Sequence, residues 1–509
     1  MFVRKKKNKS GRISVQIISK ASGRYKVVKT VGSSDNARVV ENMFLQAHHL
    51  IPELTGQQVL GMETESDKQV ERFVDTLANT HIRVIGPELI LGSLFDRIGF
   101  NIFPDDLFRH LVISRLAYPG SKLKTIDYLQ RYKNIFVSSD RIYRFLDELQ
   151  SEYKERVEKI SFEHTKKILN GRIVVIFYDM TTLYFEAEDE DDLRKIGFSK
   201  DGKFQQPQIL IGLLVGENGY PIGYDIFEGN IFEGHTFLPI LEAIGEKYDF
   251  PKPIVVADAG LLSKDNIEKL KVNGYTFIIG ARVKNETEAI KNEILERAGS
   301  LKDGTGVKVK KPDGVKLIAT YSLKRARKDK YNREKGLKKL RQQIRSGKLT
   351  KQHINNRGYN KFLTISGKVK ITIDEKKIKA DERWDGLKGY ITNTKLSVDN
   401  IVKNYTQLWQ VEKAFRISKT DLKVRPIYHR LKRRIEAHIC IAFTAYAIYK
   451  ELERLLINHR AGFSAARAIE LTQNMYEMAY QLPNSRKQKT KYLKMDDGQR
   501  ILFDIIKNS

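Results

Sequence analysis

The sequence is poor in cysteine and has no long apolar run. Its single cysteine, Cys440, excludes a disulfide framework and a zinc site built from several thiolates at the usual spacings. The longest apolar run, Ile435–Tyr449, contains Glu436 and His438 and is too short to span a bilayer. The basic N-terminus, MFVRKKKNKSGR, lacks the apolar core of a secretory signal. These absences predict a cytoplasmic protein that is not inserted in a membrane.

Acidic residues are too few to balance the basic ones. The chain has 91 Lys and Arg against 62 Asp and Glu, a formal net charge of +29 that is spread along its length. Such a charge favours a polyanionic partner such as nucleic acid. A basic protein of another kind, for example one associated with the ribosome, is the alternative, because charge alone does not define a chemistry.

Residue patterns divide the chain into six segments. Apolar residues alternate near the N-terminus, recur with helical spacing up to about residue 170, and then form buried-strand runs separated by helices, which predicts an α/β sheet. A basic stretch with twelve Lys or Arg between Lys324 and Lys348 interrupts the sheet pattern. The predicted segments are a basic β-hairpin (1–35), a helical domain (36–170), the first part of a sheet domain (171–281), a basic β-rich insertion (282–384), the second part of the sheet domain (385–450) and a helical C-terminal region (451–509).

Two of the buried-strand runs lead directly into an aspartate. Asp179 follows the run Arg172–Tyr178, and Asp258 follows the run Pro253–Ala257. Carboxylates at the ends of neighbouring strands project into the crevice where open α/β sheets place their sites, and two together suit hard divalent cations. Either aspartate alone could be an ordinary helix cap or turn residue, so this interpretation needs a third partner.

A helix predicted over Val398–Leu422 offers that partner. Tyr405, Glu412 and Lys419 recur every seven residues and would therefore lie on one helical face. Arg416 lies one turn beyond Glu412 on the same side. These polar side chains pack poorly in a core but suit contact with phosphates and a metal ion. A solvated face with a Glu412–Arg416 salt bridge fits the spacing equally well.

The segment from Tyr405 to Lys419 resembles the signature of a large group of bacterial insertion-sequence transposases, in which Tyr, Arg, Glu and Lys follow at fixed intervals (YREK). Those enzymes are DDE transposases with an RNase H-like catalytic domain, and Asp179 and Asp258 stand where their first two acidic residues are expected. In this chain Leu408 occupies the position of the signature's arginine. Four further stretches resemble the same group: 227–230 with Thr236 downstream, 385–393, 425–429 and 434–439.

The resemblance implies an α/β fold in which an RNase H-like catalytic domain is interrupted by a β-rich insertion and preceded by a β-hairpin and a helical DNA-binding region. Asp179, Asp258 and Glu412 would be the catalytic residues and would hold two Mg²⁺ or Mn²⁺ ions for cleavage and strand transfer on DNA. Tyr405 and Lys419 would bind DNA phosphates near the cut end. Arg416 would cover part of the role of the missing arginine.

The implied partners are double-stranded DNA with the element's terminal inverted repeats, and target DNA, bound by a dimer. The N-terminal region and the basic stretch at 324–348 would contact phosphates, although the latter could equally be a solvated helix or a flexible loop. Two other functions stay open: a domesticated, nuclease-inactive, sequence-specific DNA-binding protein, and an RNase H-like nuclease that does not mobilise DNA.

The remaining metal-ligating residue types form no cluster in the sequence. His235 and His438 are isolated, and we expect His429 and His438 to pack around the helix that carries Glu412. Cys440 lies in an apolar helical pattern and is predicted to be a core residue.

Overall fold

The computed structural model describes residues 1–20, 23–55, 65–78, 81–186, 189–199, 202–248, 251–261, 263–311, 314–349, 355, 358–366, 370–482 and 487–509. The chain forms two compact units, one of Met1–Asn79 with Tyr480–Lys489 and one of Thr80–Ala479 with Thr490–Ser509. Each unit is described by itself below.

The small unit begins with a three-stranded antiparallel sheet. Its strands are β1 (Phe2–Lys7), β2 (Ile13–Ser19) and β3 (Lys26–Ser34), in the order β1-β2-β3. The predicted hairpin corresponds to β2 and β3, and β1 adds a strand because Phe2–Lys7 pairs along the whole of β2. Two helices follow, α1 (Ala37–Thr55) and α2 (Glu65–Asp75). Val15 and Ile17 of β2 pack with Val40 of α1, so the alternation of apolar residues builds this small core.

The large unit starts with β4 (Ile82–Val84) and then a run of helices, as the helical spacing up to residue 170 predicts. The helices are α3 (Ser93–Ile98), α4 (Asp106–Ala117), α5 (Lys122–Lys133), α6 (Ser139–Glu148) and α7 (Lys154–Ile168). Polar side chains cap several of them: Asp105, Ser121 and Ser138 each accept a hydrogen bond from a backbone N–H of the first turn.

An eight-stranded mixed sheet forms the centre of the large unit. Its strands are β5 (Val175–Tyr184), β6 (Gln208–Val215), β7 (Pro221–Glu228), β8 (Ile254–Ala257), β9 (Thr276–Ala281), β10 (Gly306–Lys310), β11 (Lys316–Tyr321) and β14 (Leu387–Thr392). They lie in the order β10-β11-β14-β9-β8-β5-β6-β7, with β5, β8 and β9 parallel and the other neighbours antiparallel. This mixed sheet agrees with the α/β expectation and is consistent with an RNase H-like fold.

The basic region at 282–384 is divided between this sheet and a smaller layer. β10 and β11 lie within the central sheet, next to β14, because their apolar residues extend its buried face. Outside the sheet are α10 (Glu288–Ala298), α11 (Leu323–Arg345), α12 (Glu375–Glu382) and the hairpin of β12 (Leu363–Ser366) and β13 (Lys370–Ile373). The stretch at 324–348 is therefore largely helical rather than a loop. The sequence also predicts a strand-like run over Phe362–Ile373, and its middle, residues 367–369, lies outside the described residues.

Helices cover both faces of the central sheet. On one face are α8 (Phe237–Tyr248), α9 (Lys264–Val272) and α10. The opposite face packs against α13 (Val398–Thr406), α14 (Trp409–Arg416) and α15 (Lys432–Asn458). α15 is apolar almost all round over Ile435–Tyr449 and is therefore buried, with the predicted core residue Cys440 fully inside. The chain ends with α16 (Ala465–Thr472), β15 (Tyr476–Gln481), β16 (Gln488–Tyr492) and α17 (Asp497–Asn508).

Within the described residues, no helix is long and apolar enough to cross a membrane.

Candidate active site

Asp179 and Asp258 lie beside each other on two parallel strands. β5 and β8 pair in parallel up to Tyr178 opposite Ala257, and the same register continued by one residue places Asp179 next to Asp258. Neighbouring strands lie about 4.8 Å apart, and residues in register on parallel strands point to the same face. That face carries Phe177, two residues before Asp179, in the core against α13, α14 and α15.

The strand that carries Asp179 is longer than predicted. The sequence predicts a strand that ends at Tyr178, but β5 continues to Tyr184, because its other neighbour β6 pairs with it up to that residue. Asp179 therefore marks the point where the parallel pairing with β8 stops, not the end of the strand. The cleft beyond β8 begins at Asp258.

Tyr405 binds Asp258 directly. The Tyr405 hydroxyl donates a hydrogen bond to Oδ1 of Asp258 at 3.3 Å, and the same oxygen accepts the backbone N–H of Ala259. Burial raises the pKa of the Tyr405 hydroxyl, and the negative charges of Asp258 and Glu412 raise it further, so the phenol stays protonated. Tyr405 is thus a fixed donor to one oxygen of a candidate catalytic carboxylate.

This contact depends on a glycine in β9. A Cβ atom at Gly280 would lie 2.5 Å from the Tyr405 hydroxyl oxygen and 3.0 Å from the backbone nitrogen of Ala259. Any larger residue would push the tyrosine away from the carboxylate. Gly280 therefore makes room for the Tyr405–Asp258 contact.

Lys388 of β14 is the cation that lies among these groups. Its ammonium stands 4.3 Å from the centre of the Tyr405 ring, a cation–π arrangement. Burial lowers the pKa of Lys388 and Arg325 lowers it further, while the charges of Asp258 and Glu412 oppose the decrease. Lys388 therefore interacts electrostatically with both Asp258 and Glu412.

The helix that carries Glu412 is interrupted twice, whereas the sequence predicts one helix over Val398–Leu422. α13 ends at Thr406, α14 begins at Trp409, and residues Ile417–Asp421 form a wider π-helical turn. The break at the first junction is a tight turn, in which the N–H of Leu408 binds the carbonyl of Tyr405. No proline or glycine marks either position.

Both α13 and α14 lie along the face that carries the aspartates. α13 packs on β8 and β9, and α14 packs on β5 and β6. Glu412 is exposed on α14, and among the described residues it forms no ion pair with Arg416. Arg416 is exposed as well, so a solvated face remains open, without the Glu412–Arg416 salt bridge.

Leu408 is a core residue. Its side chain is only 6 % exposed and belongs to the hydrophobic cluster between the sheet and α15. The position of the signature's arginine thus holds an apolar residue in an apolar setting. No charge at this position reaches the crevice.

Lys419 and Arg416 lie further along the same segment. Lys419 is half-buried and lines a small cavity with Thr181 and Leu183, in the part of β5 beyond Asp179. Arg416 is exposed near α15, where burial raises the pKa of Tyr449 to about 12 and the Arg416 charge opposes that increase. The spacing predicts that Tyr405, Glu412 and Lys419 share one face of a continuous helix. In the structure they lie on α13, on α14 and in the π-helical turn that follows.

Residues 170–448, more than half of the chain, match the profile of the transposase DDE domain. The chain belongs to the DDE transposase domain family. The match spans both aspartates, Glu412 and most of α15. A comparison with curated proteins finds no significant match.

Several solved structures also resemble the chain. One is the cryo-EM structure of the piggyBac transposase synaptic complex with hairpin DNA, with 10 % sequence identity, coverage of 76 % of each chain and a TM-score of 0.39. A TM-score this low does not by itself establish a common fold.

The crevice of the DDE domain has one acidic and one basic side. An open cleft of about 420 Å³ begins at Asp258 and Tyr405. Its other side carries four cations from three elements: Arg282, Lys284, Arg325 and Lys388. Lys284 is paired with Asp381 and Arg325 with Asp329, so the remaining charge of this side comes from Arg282 and Lys388. Such a cleft suits a ligand that brings phosphates close to the carboxylates.

The paired aspartates fit a divalent cation, but the cage is incomplete. Two adjacent carboxylates are the oxygen ligands that Mg²⁺ and Mn²⁺ prefer. Over the part of the chain that the structure describes, no three His, Cys, Asp or Glu side chains lie close enough together to hold a metal ion. Glu412 acts electrostatically on Tyr405 and Lys388 but does not complete a three-carboxylate group with the aspartates in this conformation.

The sequence did not single out Gly280, Lys388 or Arg325 as neighbours of the aspartates, although Lys388 lies in the stretch 385–393 and Arg325 in the basic stretch 324–348. Their approach to Asp258 and Tyr405 arises only in the folded sheet. His429 and His438, which we expected to pack around the helix that carries Glu412, are both buried, with their rings 5.4 Å apart. They pack against the segment that follows α14, where Nε2 of His438 lies 3.0 Å from the carbonyl of Val424.

Proposed function

We propose that this DDE transposase is an insertion-sequence enzyme that cuts DNA at the element's ends and joins those ends to target DNA. The observation that carries the proposal is the placement of Asp179 and Asp258 side by side, on the sheet face along which the Glu412 helix lies. Membership of the family supports a transposition reaction, and the crevice supplies residues for it.

Asp179 and Asp258 would hold divalent ions, with Glu412 moving closer as the third carboxylate. Bound Mg²⁺ or Mn²⁺ would activate the attacking water or 3′-hydroxyl and stabilise the leaving oxygen. The protein's own groups position the reaction: Tyr405 fixes the orientation of Asp258 through Oδ1, and Gly280 leaves the space for it. Lys388 and Arg282 would neutralise phosphate charge on the opposite side of the cleft.

The proposed ligands are double-stranded DNA with the terminal inverted repeats and then target DNA. A net charge of +29 favours such a polyanion. Lys419, near the outer half of β5, and Arg416 would contact DNA phosphates beyond the reacting one. Joining two ends to one target favours a dimer on DNA, because each end needs its own active site.

The test is cleavage of labelled duplex DNA that carries the sequences flanking the gene, in Mg²⁺, Mn²⁺ or EDTA. We expect metal-dependent cuts at the element ends with the wild-type protein and none with Glu412→Gln, while DNA binding is kept. Glu268→Gln, an exposed glutamate on α9, is the matched control and should cut like wild type.

The other outcomes separate the alternatives. Specific binding to the ends without cutting in any metal would favour a domesticated DNA-binding protein. Metal-dependent cutting without preference for the ends would favour a nuclease that does not mobilise DNA. Equal cutting by wild type and Glu412→Gln would remove Glu412 from the site.

A further inference from the structure

A second cavity of the large unit is lined by cations and by no carboxylate. It has a volume of about 510 Å³ and lies between α4, the start of α5 and the segment that follows α14. We call it the cation pocket, and define it by its basic residues and histidines: Arg115, Lys122, Lys124, Lys423, Arg425, His429 and His438.

Two of these cations are buried without an acidic partner. Arg115 is 4 % exposed, and its Nη1 donates hydrogen bonds to the carbonyls of Leu422 and Lys423, each at 3.4 Å. Lys122 is 6 % exposed, and within the described residues it has no hydrogen bond or ion pair. Burial lowers the pKa of both groups, and the Arg115 charge lowers that of Lys122 further. Charges removed from water without a counterion are costly, so proteins rarely keep them without a reason.

The histidines of the pocket do not compensate this charge. Burial and the neighbouring cations lower the pKa of His429 to about 3, and they also lower the pKa of His438, so both rings are neutral near pH 7. Nδ1 of His438 is buried with no hydrogen-bond partner in the described structure. The pocket therefore holds positive charge, a spare polar atom and no negative group.

The N-terminus of α5 adds backbone donors to the same pocket. Ser121 caps the helix by accepting the N–H of Lys124, and the first bond along the helix runs from Thr125 to the carbonyl of Ser121. The N–H groups of Lys122 and Leu123 stand before that bond, at the positive end of the helix dipole. Helix N-termini with adjacent cations are established binding sites for phosphate groups.

We propose that the cation pocket binds a phosphate group, and that in the DNA complex this group belongs to the DNA backbone. Phosphate binding is argued from the pocket alone, whereas the assignment of that phosphate to DNA rests on the proposed function. Phosphate is the anion that the donor set fits, because it accepts several charge-assisted hydrogen bonds at once.

The cation pocket lies just beyond the end of β5, the strand that carries Asp179. Phe185, just past the end of β5, bridges to Ile427, and the Arg425 guanidinium stands 5.8 Å from the Tyr184 ring. The six residues from Asp179 to Phe185 span about 20 Å of extended chain. That distance corresponds to about six base pairs of B-DNA. A duplex whose end lies at Asp179 and whose axis runs parallel to β5 would bring a backbone phosphate to the pocket.

The first experiment measures thermal unfolding of the full-length protein with inorganic phosphate against chloride at equal ionic strength. Lys122→Met keeps the length of the side chain and removes the buried charge. We expect this variant to unfold at a higher temperature than wild type without phosphate, and to bind phosphate at least about tenfold more weakly. A lysine with a purely structural role would give the opposite result, a less stable variant with an unchanged response to phosphate.

The chain offers a matched control and a second variant. Lys264 is also the first residue of a helix after a capping serine, Ser263, but it is exposed, so Lys264→Met should respond to phosphate like wild type. Lys124→Gln changes an exposed residue at the rim of the pocket and should weaken phosphate stabilisation even if Lys122→Met folds poorly. An unchanged phosphate response in Lys124→Gln would overturn the proposal.

The second experiment identifies the source of the phosphate. The salt dependence of duplex DNA binding should have a slope lower by about one in Lys122→Met than in wild type and Lys264→Met. Phosphate binding without a change in this slope would overturn the DNA assignment and leave free phosphate as the ligand. Because neither readout requires cutting, failure of the pocket is distinguishable from failure of the proposed nuclease activity.

Discussion

The candidate active site and the cation pocket treat charge in opposite ways. In the active site, Asp258 and Glu412 stand near Lys388, and each charge has an opposite charge close by. In the cation pocket, Arg115 and Lys122 are buried with no carboxylate among the lining residues. The first region brings charges of both signs together, whereas the lining of the second holds cations and no carboxylate. The candidate active site and the proposed phosphate pocket therefore differ in charge balance.

The largest expected loss of DNA cleavage comes from a substitution at Asp258. Asp258→Asn keeps the hydrogen bond from Tyr405 but removes the negative charge that a divalent ion needs. Because such ions contribute several kcal/mol to phosphodiester displacement, we expect DNA cleavage to fall at least about 10³-fold with binding retained. Single-turnover cleavage and a binding titration measure both. Asp265→Asn, exposed on α9, is the control, and an equal loss in both variants would refute the assignment.

The next prediction tests whether the sheet face that carries the candidate active site can bury a cation, as the cation pocket does. Leu408→Arg restores the residue type of the signature, but the site is apolar and lies at the N-terminus of α14, whose positive dipole end repels a cation. We expect a loss of about 3 kcal/mol or more in the free energy of unfolding, because a charge is buried without a counterion. Denaturant unfolding measures the loss. Leu408→Met should cost less than about 1.5 kcal/mol, and a stable, more active Leu408→Arg would show that this residue reaches the DNA.

A smaller loss of DNA cleavage is expected when the hydrogen bond between Tyr405 and Asp258 is broken. Gly280→Ala places a methyl group against the Tyr405 hydroxyl and separates it from Asp258. Cleavage should fall by about tenfold, the value of one net hydrogen bond. Tyr405→Phe should give a similar loss, and the double variant should lose little more than either single one. Additive losses would show that the two residues act separately.

The smallest effect concerns acid stability, which the cation pocket should control. The folded pKa of His429, about 3, lies below its ordinary value of 6.5, so the unfolded chain binds more protons between these values. Stability is therefore present above about pH 6.5 and decreases as the pH falls towards 3. The groups facing His429 are Lys122, Arg115, Arg434, His438 and Tyr143, and none is acidic.

Thermal unfolding between pH 7 and pH 5 tests this dependence. His429→Gln should lose less stability on acidification than wild type, because it has no proton to gain on unfolding. Identical acid profiles for the two proteins would contradict the account of His429 as a neutral buried group.

The sheet and its two aspartates were predictable because burial on both sides of a strand leaves a continuous apolar run. β6 spans Gln208–Val215, a largely apolar run, and β8 ends at the residue before Asp258. The extension of β5 to Tyr184 was not predictable, because Thr181 and Thr182 break the apolar run and their burial comes from β6.

The contacts of the site were less predictable than its carboxylates. Lys388 and Gly280 reach Tyr405 from strands that pair only in the folded sheet. The breaks in the Glu412 helix have no sequence signal, since Gln407 and Leu408 are ordinary helix formers. Lys122 follows a capping serine as Lys264 does, and only the tertiary structure buries one and exposes the other.

The placement of the candidate catalytic residues on one face of the sheet can be measured directly with iron. Fe²⁺ replaces Mg²⁺ or Mn²⁺ at oxygen-rich sites, and with peroxide and ascorbate it cuts the polypeptide backbone close to where it is bound. We predict cuts near Asp179, Asp258 and Glu412 that excess Mg²⁺ suppresses and that Asp258→Asn loses. Cuts confined to other segments, or cuts that persist in Asp258→Asn, would contradict the assignment of this crevice as the active site.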